Sequence, residues 1–146
     1  RIINVSSIAH KRGRLDLRSY GDLPDQDSDN YKLYADSKLM LLYYTYYLAD
    51  ELIDSGVTVN ALHPGVITTK MLRDGFNMTG DDVSVGAETP VFLALSPNVE
   101  GVTGKYFDKN TEVPSSRLSY DRSIREELMQ WTLNLLKKGG WLIKST

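Results

Sequence analysis

Hydrophobic positions in this chain follow two rhythms. Arg1–Val5 is short and β-branched and ends in Ser6-Ser7, the pattern of a buried strand with a loop at its carboxyl end. Val57-Thr-Val-Asn-Ala-Leu62 repeats that pattern and stops at His63-Pro64-Gly65, and Gly104-Lys-Tyr-Phe107 predicts a short last strand. Between the first two strands lies Tyr31 to about Ser55, without Gly or Pro and rich in helix formers. It ends at Gly56, where a left-handed C-cap would sit. Its apolar residues Leu39, Leu42, Tyr43, Tyr46, Leu48, Leu52 and Ile53 wrap more than half the circumference, so this helix should pack on both a sheet and a second element. Strand, helix and strand make a βαβ unit, whose crossover should be right-handed.

The remaining stretches are less regular. His10 to Asn30 is polar and turn-rich, with Asp16, Asp22, Asp25, Asp27 and Asp29 among Gly, Ser and Asn, and reads as a solvated surface loop rather than a calcium site. From Gly65 to about Val83 the chain looks loose. Helices are predicted at Val85–Leu95 and Tyr120–Lys138, the latter with Leu128, Trp131, Leu135 and Leu136 on its apolar side. Three parallel strands need helices on both faces and further neighbours. The chain also starts at Arg1, without Met, directly on a strand, so an N-terminal part is expected to be missing.

Composition removes several function classes. The 146 residues suit one domain, and 41% hydrophobic with 25% charged content is ordinary for a globular protein. Seventeen Lys and Arg against nineteen Asp and Glu leave a net charge of -2, so no cationic field draws nucleic acid. With no cysteine and only His10 and His63, neither disulfides nor a thiolate or His-rich metal centre is expected, and the lack of cysteine suits a reducing compartment. No apolar run is long enough for a transmembrane helix, so a cytoplasmic protein is expected. The tail from Trp131 to Trp141, with Lys137 and Lys138, leaves peripheral membrane contact open beside a docking helix.

Chemistry gathers at Tyr34-Ala-Asp-Ser-Lys38, where a phenol and an ammonium stand one helical turn apart on the same face. A cation within about 4 to 6 Å of a phenol favours its phenolate form and equips it as a general acid or base. Ser6-Ser7 ends the preceding strand and Pro64-Gly65 the next, and ligands of open α/β sheets bind at those ends.

In these features the chain resembles the classical short-chain dehydrogenase/reductase family, especially its retinol-dehydrogenase-like branch. Four stretches carry the resemblance: Arg1-Ile-Ile-Asn-Val-Ser-Ser7 with Ala9-His10; Tyr34-Ala-Asp-Ser-Lys38; Val57-Thr-Val-Asn60 leading to His63-Pro-Gly-Val-Ile-Thr-Thr69; and Glu100-Gly-Val-Thr-Gly-Lys-Tyr-Phe107. A fainter echo lies at Pro114-Ser115-Ser116. The resemblance implies an α/β, Rossmann-like, doubly wound parallel sheet, with residues 1–146 forming the C-terminal, catalytic part of one domain. It implies an oxidoreductase using NAD or NADP on a small carbonyl or alcohol substrate. Ser7 would hydrogen-bond the substrate oxygen, Tyr34 would exchange its proton, and Lys38 would hold the nicotinamide ribose. Backbone after Pro64-Gly65, at Ile67, would bind the carboxamide, and Thr69 would hydrogen-bond the cofactor. A homodimer through the long helix is compatible with it. The family's glycine-rich cofactor turn and relay asparagine are not visible here, so this chain alone is not expected to bind cofactor or turn over.

Other residues weigh toward structure. Ser6 should bond backbone, and His10 and His63 read as satisfied structural histidines. Tyr43, Tyr44, Tyr46 and Tyr47 point in different directions on the helix and are mostly packing. Met71 to Met78, with Leu72 and Phe76, divides evenly between a flexible cover for an apolar substrate and plain core packing. Two other functions stand against the dehydrogenase: a sugar-nucleotide epimerase or dehydratase, opposed by the Pro-Gly-x-x-x-Thr run and short tail, and a non-catalytic or truncated binding protein, opposed by the intact Ser7, Tyr34 and Lys38.

Overall fold

A computed structural model describes residues 1–17 and 29–140. Most of the acidic loop expected after His10, and Trp141, lie outside the described residues. Four strands form one sheet in the order β1-β2-β3-β4: β1 (Ile2–Val5), β2 (Val59–His63), β3 (Tyr106–Asp108) and β4 (Thr111–Glu112). The first three run parallel, with Ile2 opposite Val59 and Ala61 opposite Tyr106, and β4 turns back antiparallel on β3. The helices are α1 (Asn30–Glu51), α2 (Lys70–Phe76), α3 (Val83–Leu95) and α4 (Arg122–Lys138).

Alternation along the strands assigns the two faces. Ala61 and Tyr106 pack with Leu42 and Tyr46 of α1, whereas Ile3, Leu62 and Phe107 pack with Phe92 and Leu93 of α3. The opposite side of α1, at Leu39 and Tyr43, meets Leu128, Ile124 and Trp131 of α4. The long helix is therefore buried on two sides, as its wide apolar surface predicts, and the fold is α/β with helices on both faces of a mostly parallel sheet.

Several expectations need correction. The stretch from Gly65 to Val83 contains α2, started by the Thr69 side chain, which accepts from the Leu72 N–H. The long helix begins at Asn30 under an Asp29 cap and ends at Glu51, four residues before the expected stop, and turns carry the chain on to Gly56 at φ +74°. The third strand continues into a hairpin whose tight turn holds Lys109 and Asn110 at positive φ. In α4, Leu128 is buried, but Leu135 and Leu136 are exposed because the last turns of the helix run past the end of the α1 packing surface. Ile53 is likewise exposed, beyond the last turn of α1.

Candidate functional site

Three polar contacts fix α1 against the carboxyl end of β1. Asn4 Nδ2 donates to Thr45 Oγ1 at 2.9 Å, the Ser6 hydroxyl donates to the Lys38 carbonyl at 3.0 Å, and Lys38 Nζ donates to the Val5 carbonyl at 3.1 Å. Ser6 thus bonds backbone, as expected, and in doing so sets the height of the turn that carries Lys38. Gly13 brings the chain across α1 so closely that an added Cβ would lie 2.6 Å from the Ala35 carbonyl oxygen and 2.9 Å from Leu39 Cβ. Just beyond, the Arg14 N–H donates to the buried Asp36 carboxylate at 2.7 Å.

Tyr34 and Lys38 stand on successive turns, and Lys38 Nζ lies 5.5 Å from the centre of the Tyr34 ring. Burial lowers the Lys38 ammonium from its ordinary value, since a partly desolvated cation is stabilised less by water. Ser7 is buried; its backbone is extended, and its hydroxyl oxygen accepts from the Ala9 N–H at 3.2 Å, starting a 3-10 turn at Ile8–Arg12. That turn delivers His10 beneath the site. Burial holds His10 below the ordinary histidine value, partly offset by its bond to Ser7. The neutral ring donates from Nδ1 to the Ser7 carbonyl at 2.5 Å and accepts at Nε2 from the Ser116 N–H at 3.0 Å. One satisfied histidine therefore ties Ser7 to Ser116, which lies 106 positions after His10 itself.

A cavity of about 290 Å³ opens at the carboxyl ends of β1 and β2. Ser7, Tyr34, Pro64, Gly65, Ile67 and Thr69 all line it, and Lys38 stands beside it against the Tyr34 ring. Gly65 takes φ +97°, a conformation that suits glycine, where the chain leaves β2. Ile67 then forms a lone parallel bridge to Asp81: the Asp81 N–H donates to the Val66 carbonyl and the Thr68 N–H to the Asp81 carbonyl, so the Ile67 N–H takes no part. His63, expected to be satisfied, is buried on the cavity wall with Nδ1 lacking a partner among the described residues. Burial lowers its pKa, against a raising influence from Asp108.

The segment from Val66 to Asp81 supplies the other wall. Its base is pinned by Thr68, whose hydroxyl donates to the Gly80 carbonyl and accepts from the Gly80 N–H, both at 2.8 Å. No residue of α2 is buried, so core packing is not the role of this stretch. Met71, Leu72, Phe76 and Met78 line the cavity instead, with Ile8 and Tyr31. Tyr31 and Ile8 escaped the sequence analysis, because only the tertiary fold carries Phe76 across to Tyr31; spacing of three from Tyr34 was the one available signal.

Comparisons with known proteins show the family and the fold. The profile of the family described as enoyl-(acyl carrier protein) reductase matches residues 1–91. Over 93% of its length the chain is 35% identical to the Brassica napus short-chain dehydrogenase TIC 32 B, chloroplastic, and over 90% it is 36% identical to retinol dehydrogenase 13 of Mus musculus. These matches cover 47% and 43% of the two relatives, so the chain spans about half the length of the curated relatives it matches. A crystal structure of an uncharacterized protein from Mycobacterium paratuberculosis shares the fold, with TM-score 0.72 and 23% identity over 94% of this chain and 50% of that one. The chain belongs to the short-chain dehydrogenase/reductase family. No helix among the described residues is long and apolar enough to cross a membrane.

Proposed function

We propose that this chain is the catalytic part of an NAD(P)-dependent oxidoreductase that moves a hydride between a nicotinamide and a carbonyl or alcohol carbon. The observation that carries the reading is the Lys38 ammonium 5.5 Å from the Tyr34 ring centre, with Tyr34 and the buried Ser7 lining one cavity. The donors available suit the ribose and carboxamide of such a cofactor. Lys38 spends one N–H on the Val5 carbonyl and keeps two for ribose hydroxyls. The Ile67 N–H lies outside the bridge bonds, and the Thr69 hydroxyl, which accepts from Leu72, keeps its proton to donate. When bound, NAD(P) supplies or receives the hydride.

In the reductive direction, the Tyr34 O–H releases its proton to the carbonyl oxygen as that oxygen gains negative charge. Ser7 donates a hydrogen bond to the same oxygen, a contact that tightens as charge develops and so stabilises the transition state more than the bound substrate. Lys38 offsets the charge left on the Tyr34 oxygen, and partial burial strengthens that interaction over its value in water. The largely apolar cavity wall favours an apolar substrate, in keeping with relatives named retinol dehydrogenases.

The test uses the full-length protein. Tyr34→Phe is expected to reduce kcat by at least about a hundredfold, the ordinary worth of a general acid, while nicotinamide fluorescence reports NADH or NADPH affinity within about twofold of the unaltered protein. Retained turnover would remove Tyr34 as the acid.

A further inference from the structure

Pro114-Ser115-Ser116 stands apart from the cavity, yet one side chain connects it to Ser7. His10 is fully buried, with its ring edge-on to that of Tyr106 in β3 and centroids 4.8 Å apart. The Ser116 N–H donates to its Nε2 at 3.0 Å, so that nitrogen keeps its lone pair and the ring proton sits on Nδ1. From there it is given to the Ser7 carbonyl at 2.5 Å, which also accepts from the His10 backbone N–H at 3.1 Å. The group that selects this tautomer is itself fixed. Ser119 Oγ donates to the Ser116 carbonyl at 2.6 Å. A hydroxyl has a single proton, so Ser119 accepts from Ser115 Oγ at 2.7 Å and Ser115 accepts from Tyr46 Oη at 2.6 Å. This run starts on α1 and ends one peptide beyond the N–H that holds His10. At the other end of the histidine, Ser7 is held twice. Its Oγ accepts from the Ala9 N–H at 3.2 Å, which leaves the hydroxyl proton as the group it can offer to the cavity. The direction of its carbonyl fixes ψ, at 154°, and ψ decides where Oγ points relative to the 3-10 turn. Without the ring donor that carbonyl is left with the single bond from the His10 N–H.

We infer that His10 is a positioning residue of the proposed reaction: seated on Ser116, it locks the Ser7 carbonyl and so aims the Ser7 hydroxyl at the reacting oxygen. This rests on the dehydrogenase reading for the role of Ser7. A hydrogen-bond donor stabilises developing charge only if it is in place before the charge forms, and a misplacement of about 1 Å can cost about a hundredfold in rate. A side chain that never touches substrate therefore governs the rate through the serine it holds, and the turn after β4 becomes the distant anchor of that serine.

Two substitutions in the full-length protein separate the two ring bonds. The amide of Asn sits where Nδ1 does and that of Gln where Nε2 does, so His10→Asn keeps a donor for the Ser7 carbonyl and gives up Ser116, and His10→Gln does the reverse. His10→Gln should lower kcat by about ten- to hundredfold with KM within about twofold, and His10→Asn should recover kcat to within about threefold of the unaltered protein. Stability runs the other way. Asn leaves the larger gap beside Tyr106, so its thermal midpoint should be the lower of the two. On a Ser7→Ala background the kcat difference between the two His10 variants should vanish, because both act through the missing hydroxyl. A kcat order that follows the midpoints, or a His10→Gln loss that persists undiminished in Ser7→Ala, would overturn the inference and leave the dehydrogenase reading standing. Nitrogen NMR of histidine-labelled protein needs no turnover: the signals lost in His10→Gln should show the ring proton on Nδ1, and a proton on Nε2 would equally overturn the inference. Absence of turnover in the unaltered protein would instead remove the dehydrogenase reading and the role built on it, a result on which the NMR signal does not depend.

Discussion

The two walls of the cavity are built on opposite principles. On the Ser7 and Tyr34 side, α1 is packed between the sheet and α4, its Leu39 and Leu42 are fully buried, and polar contacts to Asn4, Val5 and Ser6 fix its height. On the Phe76 side, the segment from Val66 to Asp81 has an exposed helix, a pinned base and an aromatic resting contact. Proton transfer needs groups held within tenths of an ångström, whereas admitting a substrate needs a surface that yields. Under the proposed function these two demands fall on different parts of the fold, and the two parts should respond to mutation in different ways.

The largest effect belongs to the rigid wall. Leu39→Ala in the full-length protein should lower stability by about 2–5 kcal/mol, the cost of a cavity under a completely buried side chain, read as a fall in thermal midpoint. Gly13→Ala comes next, at about 1–3 kcal/mol, because the new methyl meets the Ala35 carbonyl and neither α1 nor the 3-10 turn can retreat freely. Acid should act on the same wall more gently. Burial lowers His10 and His63 in the folded protein, so the unfolded chain binds protons first as pH falls below about 6.5. Their contribution to stability is complete above that pH and is lost as pH drops through the lower folded values. The midpoint should therefore fall between pH 7 and pH 5, and less so in His10→Gln, which keeps a hydrogen-bonding side chain but does not titrate.

The smallest global effect should come from the clash that is worst on paper. A Cβ at Gly80 would lie 1.9 Å from the Val66 carbonyl oxygen, yet the strain falls on a segment with no buried helix residue. Gly80→Ala should shift the thermal midpoint by the equivalent of less than about 0.5 kcal/mol and instead speed amide hydrogen exchange across the 66–81 segment. A midpoint shift as large as that of Gly13→Ala would mean that both walls form one cooperative unit, and the contrast between them would fail.

How much of this was legible beforehand follows the same division. The Tyr34 and Lys38 pair could be read because it obeys a local rule of helix geometry, and β1, α1 and β2 because their apolar patterns are long and unbroken. α2 escaped because Arg73, Asp74 and Gly75 look like loop and its only start signal is the hydroxyl of Thr69. The hairpin into β4 was hidden because Lys109 and Asn110 hold positive φ without the glycine that normally marks such a turn. Tyr31 and the Nδ1 of His63 belong to no local pattern: tertiary packing alone brings the one against Phe76 and leaves the other without a partner among the described residues.

The central claim, hydride transfer at the Ser7, Tyr34 and Lys38 wall, is tested most directly by isotope. Full-length protein is given an aldehyde and reduced nicotinamide cofactor carrying deuterium at the transferring position, and the alcohol product is analysed by mass spectrometry. The account predicts one deuterium on the carbinol carbon, and its formation slowed at least about a hundredfold in Tyr34→Phe at saturating cofactor. Product without deuterium, or deuterated product formed equally fast by Tyr34→Phe, would contradict it.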